Sequence, residues 1–365
     1  MQDFIALALS LAQQSLLLSS PNPHVGCVLT SAEGRLLGQG FTQRAGAPHA
    51  EIMALRDAQA QGHSLLGATA YVTLEPCSHQ GRTGPCCDAL IAAGIKKVVA
   101  SLLDPNPLVG GQGFARLRAA GITVEVGPGA VQSRELNIGF FSRMLRRTPW
   151  VRLKLAASLD GKTALESGAS QWLTSEEARS DGHAWRARSC AVLTGLGTVL
   201  ADDPQLDVRL VPTERQPQLV LLDNRLETPL GAKLFSVQRE CHVYTASPDA
   251  ARRVALEALG ARICHLPGTD QRVDLAAMLR DLADHEINEL HVEAGAALNG
   301  ALLAAGLVDE IVLYLAPKMI GKGRDMASFG PLSALSEALA LEFISSDRLG
   351  PDLRLVARIA GRDRF

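Results

Sequence analysis

A chain of 365 residues exceeds the size at which a single core usually stops growing, so two domains are expected. It is 47% hydrophobic and 20% charged, as globular proteins are, and a net charge of −2 gives no bulk pull toward nucleic acid or an anionic membrane. Seven unevenly spaced cysteines, an odd count, argue against a disulfide scaffold and for a reducing cytoplasm.

The apolar start FIALALSLA has no basic residue before it, since the first is Arg35, and Gln13 and Gln14 interrupt it. It reads as an amphipathic helix over 3–18 rather than a secretory signal or a membrane span. A strand at 26–29, a helix at 49–60, a strand at 68–74, a helix at 87–93, a strand at 97–102, a helix at 113–120 and a strand at 122–126 follow. Glycines just past the helix ends (Gly62, Gly94, Gly121) fit this alternation, which predicts a three-layer α/β domain. A helix over 130–145 runs into RMLRR, and Thr148-Pro149 breaks it. The expected domains are therefore 1–147 and 148–365.

The second half restarts with the strand VRLKLAAS. Thr174 is expected to open a helix through the capping-box pattern TSEE, with Glu177 three residues on. Strands are expected at 190–194, 218–222, 241–245, 290–293 and 310–315, and helices at 252–259, 273–284 and 296–305, again an α/β pattern. LEFISSDR and LRLVARIAG, joined by a Gly-Pro turn, read as an antiparallel edge hairpin.

The chemistry concentrates in VTLEPCSHQGRTGPCCDALI (72–91), where three of the seven cysteines share one polar loop. Upstream, PHAE places His49 and Glu51 at a helix start. One His and two Cys can hold zinc by three ligands and leave a position for water, which separates a catalytic site from a closed structural one. Zinc lowers the pKa of such a water from about 15.7 to about 7. A carboxylate beside the metal, but not on it, can carry the proton, and Glu51 is placed for that. H-x-E followed by P-C-x-x-C is the zinc-deaminase signature. Here HAE is intact, but Cys86 follows Pro76-Cys77 only after eight residues, and Cys87 is next. A structural site closed by Cys87 or His79 is the competing reading, although adjacent cysteines rarely both reach one metal. A nucleic-acid base deaminase would call for a basic face and the shorter spacing, and the sequence carries neither.

The second half has no clean dinucleotide fingerprint. TGLGTVLADDP (194–204) holds Gly195 and Gly197 after a strand, which a plain turn explains as well. HVEAGAALNGALL (291–303) offers a strand, Gly295 and a helix N-terminus whose free N–H groups could hold a phosphate.

Together PNPHVGCV (21–28), PHAE (48–51) and TLEPCSHQGRTGPCC (73–87) resemble the deaminase domain of the RibD family, the bifunctional riboflavin-biosynthesis enzymes. KLAASLDGKTA (154–164), SGASQWLTS (167–175), GTVLADDPQLDVR (197–209), VEAGAALNGALL (292–303) and LAPKMIGKG (315–323) resemble its reductase domain, in order. The resemblance implies a cytidine-deaminase-like zinc domain followed by a dihydrofolate-reductase-like α/β domain that uses NADPH. It implies His49, Cys77 and Cys86 as zinc ligands and Glu51 as the proton carrier, with Asn22, His79, Arg82 and Thr83 near the substrate. Cys87 and Cys27 then read as packing residues. In the reductase half it implies Ala156, Trp172, Thr198, Asp202, Gly295, Ala296, Ala297, Leu298, Asn299, Gly300 and Ala301 at the cofactor. Lys154, Ser170, Arg186, Leu206, Arg209 and Glu293 would face the substrate, Arg186 and Arg209 suiting its phosphate through bidentate guanidinium pairing. The implied reactions remove an amino group from 2,5-diamino-6-ribosylamino-4(3H)-pyrimidinone 5′-phosphate and then reduce its ribosyl group to ribityl. A homo-oligomer, dimer or tetramer, with no nucleic-acid or membrane partner, is expected. A C-terminal half that only binds or assembles is the alternative.

Overall fold

The computed structural model describes residues 3–79, 84–107 and 109–365. The chain divides into two compact units, Met1–Arg147 and Thr148–Phe365.

The first unit runs α1 (Phe4–Gln14), β1 (Gly26–Thr30), β2 (Leu36–Phe41), α2 (Ala50–Ala60), β3 (Thr69–Val72), α3 (Cys86–Ala92), β4 (Lys97–Ala100), α4 (Gln112–Ala119), β5 (Thr123–Val126), α5 (Ala130–Leu136) and α6 (Ile138–Arg146). Asp3 caps α1, its carboxylate accepting from the N–H groups of Ile5 and Ala6 at 3.1 Å each. The sheet order is β2-β1-β3-β4-β5, with β1 antiparallel to both neighbours and β3, β4 and β5 parallel. Paired residues share a face, and successive residues alternate. Val28, paired with Tyr71, packs on Ala8 and Leu11 of α1. The opposite face carries Leu29 and Cys27, paired with Gly38 and Gly40, and meets α2. A Cβ on Gly38 would lie 2.4 Å from Ala54 O, so the two glycines let the helix backbone approach the sheet. The sheet is thus covered on both sides, and Cys27 is fully buried between layers.

Sequence reasoning did not find β2, because a strand reading LLGQGF has little strand propensity and its glycines serve helix packing. The expected helix over 130–145 is instead two helices broken at Asn137. Its buried side chain accepts from His24 N at 2.7 Å and donates to His24 O at 3.0 Å and Ser133 O at 3.1 Å, ties that local pattern does not reveal.

The second unit runs β6 (Trp150–Ser158), β7 (Lys162–Leu165), α7 (Glu176–Arg188), β8 (Ala191–Gly195), α8 (Leu196–Asp202), β9 (Gln218–Leu222), β10 (Cys241–Thr245), α9 (Ala250–Glu257), β11 (Ala261–His265), α10 (Leu275–Asp284), β12 (Glu289–Val292), α11 (Ala296–Ala304), β13 (Glu310–Ala316), β14 (Gly323–Asp325), β15 (Leu341–Leu349) and β16 (Asp352–Ile359). Nine strands form one sheet, β11-β10-β9-β8-β12-β6-β13-β16-β15, and β14 pairs with β7 separately. The run from β11 to β13 is parallel, while β16 and β15 form the antiparallel edge hairpin. Capping of α7 falls to Ser175, whose Oγ accepts from Ala178 N at 3.3 Å, and not to Thr174. The core gathers Val151, Leu153, Leu193, Val220, Leu290, Val292 and Leu302.

A buried charge ladder crosses the middle strands. Arg152 on β6 donates to Glu289 on β12 at 2.7 Å and to Glu310 on β13 at 2.5 Å. Arg358 on β16 also reaches Glu310, at 3.0 Å, and Arg188 reaches Glu289 at 3.0 Å. Each carboxylate thus answers two guanidinium groups, which offsets the desolvation of burying them.

Candidate functional site

His49 sits at the N-cap of α2 with extended backbone, and Glu51 lies buried in the first turn. Cys77 follows β3, and Cys86 opens α3 behind Pro85. This brings His49 Nδ1 within 3.6 Å of Cys77 Sγ and 3.4 Å of Cys86 Sγ, and the three donor atoms lie within 4.8 Å of one another. The hydrogen bond from Cys86 holds the Cys77 thiol well below the usual thiol range, while sharing that proton pushes Cys86 up. Two sulfurs and an imidazole nitrogen that compete for protons at this spacing form a donor set a soft divalent cation would satisfy. Burial, then the Cys77 thiolate, push the Glu51 carboxyl up to about 7.

Cys87 takes no part: its Sγ donates to Pro76 O at 3.1 Å and Gly113 O at 3.5 Å. Asn22 lies half-buried on the turn before β1, and His79 is exposed two residues past Cys77. Arg82 and Thr83 lie outside the described residues. Sequence reasoning gave no role to Glu75, beside Pro76 in the same motif. Its buried carboxylate accepts from Asp104 N at 3.1 Å, Gly111 N at 2.9 Å and Phe114 N at 3.0 Å, pinning the cysteine loop to the α4 loop. That partner loop is distant in sequence, so only the fold shows the tie.

In the second unit a cleft of about 1520 Å³ opens at the carboxyl ends of the parallel strands, where such sheets bind ligands. Lys154, Ala156, Ser170, Trp172, Arg186, Thr198, Asp202, Leu206, Arg209, Glu293, Gly295, Ala296, Ala297, Leu298, Asn299 and Ala301 all line it. Gly300 does not; a Cβ there would lie 1.9 Å from Ser328 O, so this glycine serves close packing. Trp172 is 63% exposed at the cleft, so it is not a core residue. Gly195 and Gly295 are the N-caps of α8 and α11, so two helix starts face the cleft. The Asn299 amide donates to Ala294 O at 3.1 Å and Met326 O at 2.9 Å, and its buried Oδ1 has no partner. Free N–H groups and glycine caps of this kind fit the phosphates of a nucleotide cofactor.

Arg186 is buried and spends its fork on Glu293, at 2.7 and 3.0 Å, and on the Asp207 carbonyl. It is not the open guanidinium a phosphate would find. Arg209 is half-exposed and pairs with the Asp207 carboxylate. Lys154 Nζ lies 3.8 Å from Glu293 and over the Tyr314 ring. Asp202 ends α8 and lines the cleft, while Asp203 makes the turn: it C-caps α8 at φ 40° and accepts from Lys233 N at 2.8 Å.

Residues 149–355 match the RibD C-terminal domain, and residues 1–102 match the cytidine and deoxycytidylate deaminase zinc-binding region. The chain is 45% identical over 368 residues to the riboflavin biosynthesis protein RibD of Escherichia coli strain K12, covering 97% of this chain and 99% of that one. The chain belongs to the RibD family. RibD of Aquifex aeolicus is 42% identical, with 96% of each chain covered. A solved structure of Acinetobacter baumannii RibD is 41% identical with a TM-score of 0.88 over 97% of each chain. A Thermotoga maritima structure, named a diaminohydroxyphosphoribosylaminopyrimidine deaminase/5-amino-6-(5-phosphoribosylamino)uracil reductase, is 33% identical with a TM-score of 0.85 over 98% of each. RibD chains join a deaminase and a reductase of riboflavin biosynthesis, and this chain is such an enzyme, a deaminase-type zinc domain followed by a reductase domain.

Proposed function

We propose that the chain deaminates 2,5-diamino-6-ribosylamino-4(3H)-pyrimidinone 5′-phosphate with zinc and then reduces the ribosyl group with NADPH. The convergence of His49, Cys77 and Cys86 beside Glu51, buried in the first turn of α2, carries the reading. These three side chains would hold zinc, which as a Lewis acid makes water nucleophilic at neutral pH. Water adds to the ring carbon bearing the amine, the C–N bond breaks and ammonia leaves. Glu51, buried beside the three ligands, takes the proton from water and delivers it to the departing nitrogen. Asn22 and His79 flank the substrate in this reading, as would Arg82 and Thr83.

For the second step bound NADPH would supply the hydride that C1′ of the opened sugar accepts, with a proton from solvent going to the atom that leaves the double bond. Trp172, Ala156, Thr198, Asp202 and the turn from Gly295 to Asn299 with Ala301 would hold the cofactor, Gly300 packing behind them on Ser328. Arg209 binds the 5′-phosphate, with Ser170 and Leu206 beside the substrate. Arg186 orients Glu293, and Lys154 lies beside that carboxylate at the reacting sugar. Self-association into a dimer or tetramer belongs to the same reading and is measured by light scattering.

The test supplies the diamino substrate to the zinc-loaded protein with and without NADPH, following ammonia and NADPH absorbance. Ammonia without NADPH, and NADPH loss only after deamination, are expected. Ammonia with no NADPH loss would leave the second unit a binding module.

A further inference from the structure

The motif LAPKMIGKG has no role so far, yet it reaches the cofactor side of the cleft. Lys318, exposed two residues past β13, donates through Nζ to Trp172 O at 3.1 Å and to Leu173 O at 2.7 Å. Its own backbone is fixed: Leu159 N donates to Lys318 O at 2.8 Å, and Lys318 N to Ala316 O at 2.8 Å. The turn beyond is clamped by Asp160, whose carboxylate accepts from Ile320 N at 3.1 Å and Gly321 N at 2.6 Å. A rooted ammonium therefore bridges to a lip whose tryptophan is 63% exposed and has little core packing to hold it. On the lip's other side Arg179 lies 4.5 Å over the Trp172 ring and donates to Thr174 O at 2.8 Å.

We propose that Lys318 is a positioning residue of the reductase, holding the Trp172–Leu173 carbonyls so that the indole stays at the cleft wall for the nicotinamide cofactor. The proposal rests on the reading of Trp172 as a cofactor contact. Lys318 does not line the cleft; it acts through backbone carbonyls, and the several N–H donors of its ammonium serve both bonds. Without it the lip spreads over many conformations, and binding must order it again, which costs cofactor affinity.

The test measures NADPH binding by isothermal titration calorimetry, with steady-state kinetics and melting, on full-length Lys318→Met, Lys318→Arg and Trp172→Leu. Lys318→Met should weaken NADPH binding roughly tenfold, as loss of a charged hydrogen-bond donor does. KM for NADPH should rise with it, while kcat, KM for the pyrimidine and melting temperature stay nearly unchanged. Lys318→Arg should recover most of the affinity. Unchanged NADPH affinity in Lys318→Met, with affinity lost in Trp172→Leu, overturns the positioning role and leaves the reading of Trp172 intact. A joint shift of both KM values and the melting temperature overturns it too, in favour of a purely structural lysine. Unchanged affinity in Trp172→Leu sinks the underlying cofactor contact and the proposal with it.

Discussion

Cys86 and Cys87, neighbours in the chain, send their thiols to different places. Cys86 Sγ lies 3.4 Å from His49 Nδ1, whereas Cys87 Sγ donates to Pro76 O at 3.1 Å. One sulfur faces the donor cluster and the other closes a backbone turn. Elemental analysis should therefore find zinc strongly reduced in Cys86→Ala and retained in Cys87→Ala. The reverse pattern would overturn the ligand set.

Glu51→Gln keeps the side chain's size but cannot carry a proton. It should retain zinc and lose deamination by about 10²–10⁴-fold, the usual worth of a general acid–base group. Reduction of pre-deaminated substrate should continue nearly unchanged. Loss of both activities together would contradict two separate sites.

Asp202 and Arg209 line one cleft but should fail differently. Arg209→Ala should mainly raise KM for the pyrimidine phosphate, by roughly the 1.5–3 kcal/mol of a charged hydrogen bond. Asp202→Ala should weaken NADPH use or lower kcat, since the structural turn role belongs to Asp203. Kinetics with both substrates varied would separate them; an Arg209→Ala defect confined to NADPH moves that residue to the cofactor side.

Acid should loosen the reductase unit through its buried histidines. Burial, aided by Arg186 and Arg209, lowers His183 from 6.5 to about 4, against weaker opposing pulls from Glu293 and Asp207. Burial likewise lowers His291 to about 3. Both folded values lie below the unfolded one, so the unfolded chain takes up protons first as pH falls. Stability is therefore full above about pH 6.5 and declines toward pH 4. Denaturant melts at pH 7.5, 6 and 5 should show that decline, and His183→Gln should make it shallower, leaving the share of His291. An equal slope in both proteins would assign the decline elsewhere.

Much of this was legible in advance, for reasons that differ by element. His49, Cys77 and Cys86 announce themselves because metal chemistry demands rare side chains, and the structure brings them within 4.8 Å. Long apolar runs such as β6, β10 and β13 read as strands since both faces are covered. What escaped depends on partners far away in the chain. Gly38 and Gly40 make sense in β2 only once α2 lies over them, and Asn137 breaks a helix only to reach His24. Arg186 reads as a phosphate ligand until Glu293, 107 residues on, takes its fork. Glu75 looks like part of a cysteine motif, and the three N–H groups that need it come from residues 104–114.

The ladder through Arg152, Glu289, Glu310 and Arg358 draws its members from four adjacent strands, β12, β6, β13 and β16. Sliding any one strand by a single residue would turn its charge to the other face of the sheet and leave a buried partner bare. The ladder thus works as an alignment key, which rejects misregistered sheets more than it adds to the depth of the native well. Glu289 and Glu310 are the first residues of their strands, so the key engages at the end of the sheet away from the cleft. The loops at the carboxyl ends are thereby free to vary with the ligands they meet, because strand alignment is decided elsewhere.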